Sequence, residues 1–191
     1  MVSSHARLWA QQPALADQTQ LVLRGLISGS ATPRLELDGQ SFHASPLISC
    51  FYERRDFRPA WSTGGALRPA ADELLAALAT AEAEGLRAED YRLPALQGRA
   101  AAVRSRPDAR GLADLDLLLS DAFLTFGAHL RTGKVNPQAI YRDCAQKRDD
   151  TDLAAVLEGA LAENQESGQI RSMLASLSPP HRGYKLLREA L

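Results

Sequence analysis

Between Gly111 and Thr132 apolar residues return every three or four positions, and this run constrains the fold more than any other stretch. Leu112, Leu115, Leu119, Ala122, Phe126 and His129 fall on one seam, with Leu118, Phe123 and Leu130 beside it. The spacing predicts one long helix with a wide apolar face, closed by Gly133. Most of its acids, Asp114, Asp116 and Asp121, are read as lying off the central seam. A helix of that length must be surrounded, and the rest of the chain reads as its surroundings.

From Ala16 to Ile27 the residues Leu21, Leu23, Leu26 and Ile27 predict a first short helix, with Gly29 beyond its end. Leu35 and Leu37 then alternate with charges, and Asp38-Gly39 is a two-residue turn signal, so a small β-hairpin fits near residues 34–43. Ser45-Pro46 predicts a helix start with a capping hydroxyl, followed by Leu47, Ile48, Phe51 and Tyr52 on one face. Pro69 opens a helix that Leu74, Leu75, Leu78 and Ala81 line and Gly85 ends, while Gly64-Gly65 reads as a turn before it. Pro94 opens another, broken by Pro107. After Gly133 come a short helix past Asn136-Pro137, one from Asp152 to Ala162, one in SGQIRSMLASL, and a last one after Ser178, read as a cap, and Pro179-Pro180. About eight helices with no strand–helix alternation argue for an all-α, irregular multi-helix bundle. Residues 1–15 read as a flexible N-terminal arm and 16–191 as one helical domain.

Hydrophobic residues make up 45 % of the 191, enough for a core without disulfide staples. The formal net charge of −1 argues against a nucleic-acid partner, which calls for a basic surplus. No apolar run reaches the roughly 20 residues that a membrane span requires. The first residues lack the basic and apolar regions of a leader, which by itself reads as cytoplasmic. Cys50 lies in an apolar helical context and reads as a buried thiol, and Cys144 in a polar one; sequence leaves open whether they pair.

Catalytic patterns are scarce. His5, His43, His129 and His181 have no ligand spacing, so no metal and no cofactor are expected, and His129 reads as a core histidine with one ring nitrogen bonded. Glu53, Glu73 and Glu84 could serve in an acid/base pair only by residue type; a solvated helix face is the plainer reading. The segment FYERRDFRPAWS, Phe51 to Ser62, stands out instead. In one reading its aromatics are core anchors and its arginines cap helix ends or pair with acids. In the other, Trp61 with Arg54 or Arg58 forms a stacking and anion-binding patch for a glycan or peptide. The first reading is preferred, and Arg54, Arg58 and Trp61 are the candidate contact residues.

Four stretches in this order resemble the helical scaffold domain of YcbB-like murein L,D-transpeptidases. They are SPLISCFYERRDFRPAW, ADELLAALATAEAEGLRAEDYRLPAL, LADLDLLLSDAFLTFGAHLRTGKVNP and LASLSPPHRGYKLLREAL, which run from Ser45 to Leu191 and set the resemblance over roughly residues 16 to 191. The resemblance implies a non-catalytic domain of a periplasmic enzyme that cross-links peptidoglycan. It implies as partners the peptidoglycan-binding and catalytic domains of the same polypeptide, and a leader removed from the mature form. The family's catalytic motif, close to Ser-His-Gly-Cys-x-Arg, surrounds neither Cys50 nor Cys144, so no transpeptidase activity is expected of this chain. The arm and QAIYRDCAQKRDD depart from the pattern. Three other readings stay open: a peptidoglycan-binding module in its own right, a free-standing enzyme on glycans or peptides, and a cytoplasmic helical adaptor.

Overall fold

The computed structural model describes residues 13–29, 35–134, 151–162 and 168–190. Cys144, the segment QAIYRDCAQKRDD up to residue 150, the helix expected past Pro137 and residues 1–12 lie outside them. Eight α-helices are present among the described residues: α1 Leu15–Ser28, α2 Ser45–Arg54, α3 Pro69–Ala79, α4 Leu93–Ser105, α5 Ala109–Thr132, α6 Leu153–Ala160, α7 Gln169–Leu177 and α8 Arg182–Glu189. Two tiny antiparallel pairs accompany them, β1 Glu36–Leu37 with β2 Gln40–Ser41, and β3 Ser62–Thr63 with β4 Ala66–Leu67. The fold is all-α with small hairpins.

Helix α5 is the centre. Asp108 caps it by accepting from the Gly111 amide at 2.8 Å, and its 24 residues give it a length of about 36 Å. Helices α1, α2, α3, α4, α6 and α7 all pack against it, so it is buried nearly all round. The surrounding helices each contribute one stripe. Ile48, Phe51 and Tyr52 come from α2, Leu74, Leu75 and Leu78 from α3, Leu96, Ala100 and Val103 from α4, and Ile170, Leu174 and Leu177 from α7. Helix α8 is peripheral, with Leu186 and Leu187 exposed.

Several expectations are corrected. The α1 stripe is Leu23 and Ile27, whereas Leu21 is exposed; Leu47 on α2 faces outward too. Leu15 is already helical, so the arm drawn to residue 15 is too long by at least that residue. Ser45 is the first helical residue rather than a cap: its hydroxyl donates to the Phe42 carbonyl and accepts from the Leu35 amide, tying the first hairpin to α2. Ser178 terminates α7, and His181 precedes α8 without a side-chain cap. Helix α3 stops at Ala79, and a separate 3-10 turn, Ala81–Glu84, runs to Gly85 in the left-handed region. Cys50 is half-buried.

Gly64-Gly65 is more than a turn. Both residues have positive φ, 57° and 90°, the requirement of a tight two-residue hairpin, and Asp38-Gly39 repeats it with 52° and 74°. A side chain at Gly65 would also meet Leu15 of α1.

The acids of α5, read only as lying off the central seam, have a place that the seam did not reveal. Asp114, Asp116 and Asp121 are all buried, at 7 %, 1 % and 4 % exposure. Each is held there by donors. Asp114 pairs with Arg110 at 2.7 Å, and Asp121 accepts from the Ala44 amide at 2.8 Å just before α2. Burial still pushes both carboxyls above the usual range.

Candidate functional site

The segment after α2 folds into a tight corner. Asp56 and Phe57 both take left-handed φ, 54° and 58°, which costs a non-glycine residue about 1–2 kcal/mol. The corner is held from outside by α1. Arg24 pairs with Asp56 at 2.6 Å, and the Gln20 side-chain amide donates to the Asp56 carbonyl at 2.7 Å. The Arg24 guanidinium also lies 5.2 Å from the Phe57 ring centre.

Inside the corner sits Asp116. One of its oxygens accepts from the Tyr52 hydroxyl at 2.6 Å and from the Ala60 amide at 2.7 Å. The other accepts from the Trp61 amide at 3.0 Å. One turn on, Ser120 Oγ accepts from the Trp61 indole at 2.9 Å and lies 2.9 Å from the Tyr52 hydroxyl. Tyr52, Trp61 and Ser120 have no exposed surface, and Trp61 stacks at a tilt on Phe123 with centroids 6.4 Å apart. Burial pushes the Tyr52 hydroxyl well up, with the Asp116 charge adding to it. Asp116 is likewise raised by burial, against the pull of its three donors. The arrangement is a closed polar hub inside a dry core. A buried indole cannot offer a stacking face, so Trp61 is a core anchor and leaves the set of surface contacts.

The arginines of the same segment do face out. Arg54 pairs with Asp152 at 3.1 Å, joining α2 to the start of α6. Asp152 also caps α6 through the Ala155 amide; that bond, with Arg54 beside it, holds its carboxyl below the usual range. Arg55 donates to the carbonyls of Arg58 and Pro59, and Arg58 donates back to the Arg55 carbonyl. Arg68, from the second hairpin, bridges the carbonyls of Ala60 and Leu161, each at 2.9 Å. These four guanidiniums line a cleft of about 760 Å³ between α1, the corner, the second hairpin and the end of α6. Sequence reasoning found Arg54 and Arg58. It missed Arg55 and Arg68, because the hairpin that delivers Arg68 was read as a plain turn.

A second cleft, of about 600 Å³, opens between α3, α5, α7 and α8. At its edge Glu84 accepts from the Tyr184 hydroxyl at 2.5 Å and pairs with Arg188 at 3.2 Å, fastening α8 to the bundle. Glu73 is also structural: its two oxygens accept from the Gly168 and Ile170 amides at the start of α7. Glu53 stays exposed, as a solvated face requires. His129 is half-buried, with Nδ1 at 2.9 Å from the Tyr91 hydroxyl. Burial lowers its pKa first, and Lys134 lowers it further.

Among the described residues no group of three or more His, Cys, Asp or Glu side chains could hold a metal ion. Among the same residues no helix is long and apolar enough to cross a membrane. No curated protein and no solved structure matches the chain significantly. A family model does: the Scaffold domain model matches residues 46–191, roughly three quarters of the chain. The match takes in the corner, the hub on α5, the second cleft and the arginines of the first, while α1, which supplies one wall of the first cleft, and the first hairpin precede it and yet share the same core. The chain therefore belongs to the Scaffold domain family.

Proposed function

We propose that this chain is the non-catalytic scaffold domain of a periplasmic L,D-transpeptidase, which it serves by positioning the catalytic and peptidoglycan-binding domains of the same polypeptide. The family match and the four matching stretches support the reading. The observation that carries it is the destination of the FYERRDFRPAWS residues. Tyr52 and Trp61 turn inward onto Asp116 and Ser120, and Arg55 and Arg58 hold backbone carbonyls. A segment used in this way makes a rigid corner, and rigidity is what a positioning domain supplies. The acids point the same way. Glu73, Glu84, Asp116 and Asp121 are each committed to holding a helix end, a turn or a neighbouring helix. We take the chain from Leu15 onward as one domain and the residues before it as an arm, with peptidoglycan itself as a further partner.

The test uses this chain alone and the product of its native gene. Incubated with tetrapeptide muropeptides, the chain alone yields no cross-linked dimer, and a carbapenem leaves no mass adduct on Cys50 or Cys144. The native product carries a leader and a domain with the Ser-His-Gly-Cys-x-Arg motif, and that domain is acylated. Cross-linking by the chain alone, or a native product without such a domain, refutes the reading. The arginine cleft favours one second reading, a peptidoglycan-binding module; retention of the purified chain on sacculi would support it.

A further inference from the structure

The cleft between α1, the corner, the second hairpin and α6 carries charges of both signs with bonding capacity to spare. Arg55, Arg58 and Arg68 each donate to backbone carbonyls and form no ion pair among the described residues. A guanidinium has five N–H donors, so most of theirs are left for another acceptor. Their positions are nonetheless set, because every one is pinned by at least one carbonyl bond. In the same cleft stand Asp17 on α1 and Glu158 on α6; neither forms an ion pair or side-chain hydrogen bond among the described residues, although Glu158 is close enough to Arg54 to favour its charge. Opposite charges that line one concavity without closing a salt bridge to one another, among the described residues, fit a ligand that carries both signs. The volume of about 760 Å³ suits a molecule of a few residues.

We propose that this cleft is a binding site for a short zwitterionic peptide. Its carboxylates sit on the arginine side, where guanidinium forks give paired charge-assisted bonds. Its ammonium group sits toward Asp17 and Glu158. The Thr63 hydroxyl and the Gln20 side-chain carbonyl, whose amino group is taken by Asp56, supply neutral partners for the peptide backbone. The site stands on the geometry of the cleft and does not depend on the cell-wall reading.

The test is an NMR titration of the whole chain, following backbone amides and arginine Nε–H groups. The probe is Ala-Glu-Ala with free ends. Controls are the same peptide amidated at its carboxyl end, the same peptide acetylated at its amino end, sodium phosphate, and a polyglutamate peptide blocked at both ends. The free peptide is expected to shift Thr63, Gly64 and the Nε signals of Arg55, Arg58 and Arg68. Either blocked form binds about tenfold more weakly, the loss of one charge-assisted contact. Arg58→Gln weakens binding by about tenfold. Asp17→Asn weakens the free peptide but leaves the acetylated one unchanged. Both side chains are exposed, so both variants keep the parental melting temperature, which removes misfolding as an explanation. Arg104→Gln, at the exposed pair with Asp72, changes nothing. Phosphate or blocked polyglutamate binding as tightly as the free peptide overturns the proposal, as does indifference to blocking or an absence of shifts at the cleft.

Discussion

Replacing Asp116 by Ala tests the hub at its centre. The change removes the acceptor of the Ala60 and Trp61 amides and of one Tyr52 bond. No water reaches a residue 1 % exposed, and the methyl group offers the donors nothing. Two stranded buried amides cost about 1–3 kcal/mol each. Tyr52 loses less, because Ser120 Oγ remains 2.9 Å from its hydroxyl. Removing a carboxyl that burial disfavours returns part of the loss. The balance is about 3–5 kcal/mol, a large share of the 5–15 kcal/mol that holds a typical domain together. At about 2–4 °C per kcal/mol for a chain of this size, the melting temperature should fall by roughly 6–20 °C. Tyr52→Phe removes only a donor and leaves Asp116 its two amides, so it should cost about 1–2 kcal/mol. In the double variant the Tyr52 change should cost less than it does alone, because its partner is already gone. Urea unfolding of the four proteins measures all of this. An Asp116→Ala protein as stable as the parent, or strictly additive changes, would refute the view of the corner as a coupled hub.

Phe123→Ala should lower stability by about 3–5 kcal/mol, since Phe123 is fully buried against Trp61; parental urea stability would contradict the packing. The His129 imidazole, followed by NMR, should titrate below its ordinary 6.5. A lowered folded pKa means that its contribution to stability is intact above the unfolded value and is lost as pH falls from there through the folded pKa; a midpoint at or above 6.5 would remove this dependence. Glu84→Ala should loosen α8, seen as faster amide exchange in residues 182–189 with little change in the melting of the bundle, because Glu84 holds both Tyr184 and Arg188 of that helix.

Helices were legible wherever an apolar stripe met a boundary residue. Pro69, Pro107, Gly29 and Gly133 mark real ends, and the first hairpin follows from Asp38-Gly39. The second hairpin was hidden because Ser62, Thr63 and Ala66 show no apolar alternation, leaving Gly64-Gly65 to look like an ordinary turn. The burial of the acids was hidden for a different reason. Amphipathic reasoning assigns carboxylates to water, yet leucines occupy positions 115, 117, 118 and 119, around Asp116. A helix apolar on every side must bury whatever polar residues it carries. Asp116 and Ser120, four apart, lie on one face, and Asp114 and Asp121 are two turns apart on another. That spacing was the available signal, and it pointed to partners arriving from other elements. Which elements those were depended on contacts more than fifty residues away in sequence, beyond the reach of any local pattern.

The placement of Trp61 and Arg58 gives the corner two separable functions, and one pair of variants can show it. Trp61 is enclosed, with its indole N–H on Ser120 and its amide on Asp116. Arg58 lies on the outer wall, and among the described residues its side chain forms a single hydrogen bond, to the Arg55 carbonyl. Trp61→Ala should cost about 3–5 kcal/mol, like other large buried aromatics. Below its melting transition the folded fraction of that variant should bind sacculi, or the free peptide, as the parent does. Arg58→Gln should do the reverse: exposed arginines contribute little to stability, so melting is unchanged while binding weakens. Thermal unfolding and sacculus retention measured on both proteins give a crossed pattern if the corner acts as a rigid support behind a charged surface. A Trp61→Ala protein that melts like the parent and no longer binds would put the indole at the surface, against its enclosure by Phe123 and Ser120.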